Sequence, residues 1–322
     1  MNEKNYKKTR YNKPFIAQRA DPYVYRHEDG NYYFTASVPS YDRIILRQSA
    51  SFDGLAEAKE VTIWEKHSSG EMSEHVWAPE IHYIEGKWYI YFAAGEREDV
   101  WKIRPYVLRC LGNNPMEDKW EEIGQVEPVD AFTFRDFSLD MTVFEHHGKW
   151  YSVWAEKVSV GKKISNLYIA RMASPTKLAT EQVLLTSPDY DWERVDFWVN
   201  EGPAVIRNKG KLYLTYSASA TGVCYCMGML SIDEEGDLLN PREWKKEQTP
   251  VVTTDWEKGI LGPGHNSFTT SEDGREDIMI YHARQYDEIE GDPLYDPNRH
   301  TYRMKVKWDQ DGAPVFDFEN NF

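Results

Sequence analysis

DMTVFEHHGKWYSVWAE, residues 140–156, is the stretch whose reading decides the fold. It holds a short strand-like run, a turn at Gly148 and a second run dense in aromatic residues. Glycine tolerates the positive φ of a tight hairpin turn and aromatic residues favour strands, so the stretch predicts a β-hairpin. The same layout occurs four more times: DPYVYRHEDGNYYFTAS at 21–37, APEIHYIEGKWYIYFAAG at 78–95, EGPAVIRNKGKLYLTYSAS at 201–219 and HNSFTTSEDGREDIMIYHAR at 265–284. The turn glycines Gly30, Gly86, Gly148, Gly210 and Gly274 are spaced by 56, 62, 62 and 64 residues.

Further strand-like runs lie between the hairpins, among them RIILRQSA, RPYVLRCLG, NLYIARMA and CYCMGMLSI. Each repeat therefore holds about four strands, the content of a propeller blade. Five repeats predict an all-β chain folded as a five-bladed β-propeller. A β-sandwich is the rival, but it does not predict five similar hairpins. Thr301 to Val315 reads as a further strand, expected to complete a blade with Phe15 to Arg19 and so cover an exposed edge. Residues 1–322 read as one domain, with 1–12 (MNEKNYKKTRYN) as a flexible polar tail.

The net charge of −15 argues against nucleic-acid binding, which calls for clustered Lys and Arg, and against adhesion to anionic lipid. No apolar leader is visible near the start and no run reaches membrane-spanning length, so the expectation is a cytoplasmic protein, or a secreted one if a signal peptide has been removed. The three cysteines, Cys110, Cys224 and Cys226, do not make a disulfide framework.

In a propeller the first strand of each blade lines the central channel. Here those strands open with Asp21, with Glu80 two residues after Ala78, with Asp140, with Glu201 and with His265. Crowded carboxylates shift one another's pKa values apart, which makes one a base and another an acid. A lone Asp-Pro reads as a turn cap; acids at matching points of three repeats read as a catalytic set.

Several motifs resemble those of glycoside hydrolase family 43: RADPYVY at 19–25, WAPEIHYIEGKWYIYFAAG at 77–95, FSLDMTVFEHHGKWY at 137–151, VNEGPAVI at 199–206, GPGHNSF at 262–268, YHARQY at 281–286 and GDPLYDPNRHT at 291–301. YSASATGVCYCMGML at 216–230 and DPNRHT at 296–301 resemble its exo-α-1,5-L-arabinofuranosidase branch. The resemblance implies inverting release of L-arabinose from arabino-oligosaccharides or arabinan, with Asp21 as general base, Glu201 as general acid and Asp140 as the third carboxylate. Met141 stands where many relatives have Pro, and the neighbouring Asp is kept. The resemblance also implies a place near the axis for His265, as a core histidine, a substrate contact or part of a water-mediated calcium or sodium site. No cofactor is otherwise required. Trp77 and Trp198 are candidate sugar platforms, and Arg284 and Arg299 are candidate contacts to sugar hydroxyls or carboxylates. β-Xylosidase or endo-arabinanase action within the family and a noncatalytic carbohydrate-binding propeller are the alternatives.

Overall fold

The computed structural model describes residues 8–158 and 164–322. The described chain is all-β, with only short 3-10 turns between strands. No helix in it is long and apolar enough to cross a membrane. Two sheets are plain antiparallel four-stranded meanders: Ala20–Arg26, Tyr32–Ser37, Arg43–Ser49, Val61–Glu65, and then Glu74–Ile84, Lys87–Gly95, Arg104–Cys110, Trp120–Gln125. Two further meanders start at Ser138–His146 and Trp198–Asn208. They join through a short parallel pairing of Ile164 with Trp198 and Ser165 with Val199. A last sheet holds Leu261–Thr270, Asp277–Arg284 and His300–Lys305. All five predicted hairpins are present.

Side chains alternate across a strand, so each sheet feeds two apolar layers. Trp88, Ile90 and Phe92 pack with Tyr33, Ile44 and Leu46 of the preceding sheet. Tyr89 and Tyr91 face the other way, onto Met141, Val143 and Trp154 of the following sheet. The pattern runs through every successive pair and ends with Ile278 and Ile280 of the last sheet packed on Val24, Tyr32 and Phe34 of the first. The leading strand of each sheet likewise packs on the next, and Leu261–Thr270 packs back on Ala20–Arg26.

The two chain ends meet less fully than the sequence led us to expect. Thr301 to Val315 divides into His300–Lys305 and a two-residue pairing of Lys307–Trp308 with Pro314–Val315. Phe15 to Arg19 contributes an isolated bridge, Ile16 to Thr301, in place of a full strand. Pro14 just before it has no N–H to extend the ladder. Residues 1–7 of the expected tail lie outside the described residues; residues 8–12 do not hang free. Asn12 is buried, its amide donates to Gly259 O at 3.1 Å, and Asn321 Nδ2 donates to Tyr11 O at 2.9 Å.

One buried ion pair fixes the approach to the fourth sheet. Glu193 is fully buried, and Oε2 accepts from the N–H groups of Asp189 and Tyr190 at 2.7 and 2.9 Å and from Lys246 Nζ at 2.8 Å. Oε1 accepts from Asn200 Nδ2 and Tyr216 Oη, both at 2.9 Å. Asn200 immediately precedes Glu201, so this carboxylate holds the backbone of a site residue. Removing one partner of a buried pair strands the other. Glu193→Ala is therefore expected to cost about 3–5 kcal/mol in urea unfolding, and a loss below about 1 kcal/mol would contradict it.

Candidate active site

The leading strands share a local distortion. Their ladder registers slip at Ala20/Tyr23, Trp77/Glu80, Glu201/Ala204 and Gly264/Ser267, and opposite Asp140 at Val153/Ala155. At each slip one residue takes left-handed φ: Asp21 (51°), Ala78 (45°), Asp140 (55°), Gly202 (54°) and His265 (44°). For a residue with Cβ this conformation costs roughly 1–3 kcal/mol, and here it turns side chains into a common cleft of about 600 Å³. Asp21, Asp140, Glu201 and His265 all line it. The repeating position is thus 21, 78, 140, 202, 265, so Glu201 precedes the point that the hairpin alignment had given it.

Gly202 is required where it stands. A Cβ there would lie 3.1 Å from His265 Cγ, in a backbone conformation that already favours glycine. The close approach lets the Gly202 N–H donate to Asp140 Oδ2 at 3.0 Å.

Asp21 Oδ1 lies 3.3 Å from Arg299 Nη1, 3.3 Å from His265 Nδ1 and 3.2 Å from His282 Nδ1. The Asp21 N–H also donates to His282 Nδ1 at 3.1 Å. Burial pushes the Asp21 pKa up, but Arg299 first, then His265 and His282, outweigh it and hold the carboxyl well below its ordinary range. Burial also lowers His265 and takes His282 down to about 3, so both rings are neutral at neutral pH and Arg299 is the standing cation. Arg299 is fixed in turn by donating to Tyr41 Oη at 2.7 Å.

The other two carboxylates are shifted the opposite way. Asp140 is raised well above its ordinary value by burial and then by Glu201 and Asp21. Glu201 is pushed up to about 7 by burial, with Asp21 adding and the Tyr225 hydroxyl and Arg299 opposing. Asp140 and Glu201 titrate as a pair. At neutral pH the cleft therefore holds an ionised Asp21 beside a pair that keeps a proton.

The remaining expectations divide. Trp77 lines the cleft, stacked on His75 with ring centroids 4.4 Å apart. Arg299 lines it too, against Asp21. Trp198 does not line it; Arg194 covers its ring at 4.8 Å, while its neighbours Phe197 and Val199 face the cleft. Arg284 is a strut: its donors go to Thr221 O, Pro293 O and Asp296, anchoring the loop before His300. Strand alternation and a long intervening loop decide these two cases, and neither is visible in a motif. The ion expected at His265 is a water-mediated one, which needs no cluster of direct ligands. His265 Nδ1 faces the carboxylates of Asp21 and Asp140, and among the described residues no three His, Cys, Asp or Glu are arranged to hold an ion.

Sequence reasoning missed Tyr225, Tyr41, His75, Trp101 and Phe137. Tyr225 sits inside the quoted 216–230 motif, which was a usable signal. Trp101 and Tyr295 are about half exposed at the rim; His75 ties their two loops together by donating from Nδ1 to Val100 O at 2.8 Å and accepting at Nε2 from Tyr295 Oη at 3.0 Å. No local pattern announces that contact.

An ionised carboxylate and a proton-holding pair in one cleft can serve acid–base hydrolysis. The family model of glycosyl hydrolases family 43 matches residues 11–314, and the chain belongs to that family. It is 50% identical over 307 residues to a Streptomyces avermitilis protein named extracellular exo-alpha-(1->5)-L-arabinofuranosidase, covering 95% of this chain and 63% of that one. The chain thus spans less than two thirds of that relative's length. A Streptomyces chartreusis protein of the same name is 48% identical over 283 residues, covering 88% of this chain and 85% of that one. The crystal structure of an alpha-L-arabinofuranosidase from Lactobacillus brevis superposes with a TM-score of 0.89 at 51% identity, covering 94% of this chain and 95% of that one. The two Streptomyces proteins are named extracellular, and this overturns the cytoplasmic expectation. A polar opening stretch says only that it is not itself an apolar export signal; it carries no information on compartment.

Arg299→Met tests the electrostatics. Without the guanidinium, burial governs Asp21 and its pKa rises, so the acidic limb of kcat/KM should move up by roughly one pH unit or more. An unmoved limb would contradict Arg299 as the group that keeps Asp21 ionised.

Proposed function

We propose that the chain is an exo-acting α-L-arabinofuranosidase that releases L-arabinose from the ends of α-1,5-linked arabino-oligosaccharides or arabinan, with inversion at the anomeric carbon. The observation that carries the chemistry is the gathering of Asp21, Asp140 and Glu201 in one cleft, with Arg299 against Asp21 and the Tyr225 hydroxyl against Glu201. The substrate reading rests on the two Streptomyces relatives, whose names specify that activity. Their names also support action outside the cell.

The domain is read as a single five-bladed β-propeller. Five successive meanders of three or four strands support this, as do the apolar layers between successive pairs, including the last with the first.

The mechanism follows from the proton affinities. Asp21, ionised, accepts a proton from the water that attacks the anomeric carbon. Glu201, protonated, gives its proton to the departing glycosidic oxygen. Asp140, raised by burial and then by Glu201 and Asp21, shares the proton-holding pair with Glu201. Its hydrogen bond from the Gly202 N–H ties it to the backbone that carries Glu201. Trp77 supplies an apolar wall for the sugar, and each proton in the scheme is moved by a side chain of this chain.

Product analysis tests the reading. With α-1,5-linked arabino-oligosaccharides, monomeric arabinose should be the main product from the first time point. Early accumulation of shorter oligomers would mean endo cleavage. Faster release of xylose from xylo-oligosaccharides would overturn the substrate assignment.

A further inference from the structure

Tyr225 is buried, one residue ahead of the strand Cys226–Asp233. Its ring lies parallel to the His282 imidazole, with centroids 5.5 Å apart and planes 6° apart. The ring also lies against Gly264, where a Cβ would come within 2.4 Å of it. These contacts leave the ring one seat. From there its hydroxyl donates to Glu201 Oε1 at 2.8 Å. Among the described residues, no other hydrogen bond to the Glu201 carboxylate is present.

Burial, with Glu201 next, raises the Tyr225 pKa far above its ordinary value, so the phenol keeps its proton and remains a donor.

We propose that Tyr225 is a positioning residue for the acid: its hydroxyl occupies Oε1 of Glu201 and leaves Oε2 as the oxygen that carries and delivers the proton. This rests on the reading of Glu201 as general acid. The charged and titratable groups facing Glu201 are Asp21, Asp140, His265 and Arg299, each from a different segment, and Tyr225 is the neutral donor among them. A donor to a carboxylate favours its ionised form, so the phenol opposes the burial that raises Glu201. Its loss should raise the acid's pKa and free both oxygens to rotate.

The test compares wild type, Tyr225→Phe and Glu201→Ala on substrates of graded leaving-group ability across pH. In Tyr225→Phe the alkaline limb of kcat/KM should move up by about one pH unit. Its kcat should fall about tenfold on substrates with poor leaving groups and much less on activated aryl glycosides, with KM little changed. Activated aryl glycosides report the folded, base-competent fraction, so the ratio between substrates keeps the test decisive if Tyr225→Phe lowers the melting temperature. An unmoved limb in Tyr225→Phe, with any loss equal across leaving groups, would reduce Tyr225 to packing and overturn the proposal. Glu201→Ala separates the two readings. Selective loss on poor leaving groups upholds the acid assignment whatever Tyr225 does, and equal loss or no loss removes the basis of both.

Discussion

Three carboxylates buried in one cleft repel one another, and the surrounding structure determines how that repulsion is resolved. Buried like charges are costly unless one group ionises beside a cation and the others keep a proton. Arg299 makes the choice here. It stands 3.3 Å from Asp21, so Asp21 takes the charge, and that charge adds to the burial that raises Asp140 and Glu201. Tyr41 and Leu294 hold this arrangement in place. Arg299 donates to the Tyr41 hydroxyl, which donates to Leu294 O. The loop that delivers the arginine is thereby tied to the first sheet, the sheet that also carries Asp21.

The backbone meets the same demand by strain. A regular strand would send the side chains at 21 and 140 outward along the pleat; the left-handed residue in each leading strand redirects them. Such conformations persist only where the surroundings over-determine them. The apolar layers on both sides of every sheet supply that constraint, and the Glu193 network does so beside Glu201.

Much of this was legible in the sequence, for identifiable reasons. The hairpin repeat is a backbone property with local signals, glycine at the turn and aromatic residues after it, and all five hairpins are where those signals put them. Repeats bring matching positions together, and Asp21, Asp140 and Glu201 line one cleft. The alignment still misplaced Glu201 by one residue, since the feature that repeats is the strand bulge, and Gly202 rather than an acid occupies it. Trp198 was expected in the cleft and its flanking residues line it instead, because one step along a strand reverses the face. Arg284 and Arg299 looked alike in sequence, but only the fold of the loop between them separates a strut from a partner of Asp21. Tyr41 and His75 act through contacts with residues more than 200 positions away, which no window can register.

The assignment of Asp21 as the water-activating base is most directly tested by the stereochemistry of a single turnover. Proton NMR of the first-formed arabinose, recorded before mutarotation, should show the anomer opposite to that of the α-linked substrate, because water attacks once from the face held by Asp21. An initial product with the substrate's own anomeric configuration would mean a covalent intermediate and two displacements, and Asp21 would then not be the base that activates water.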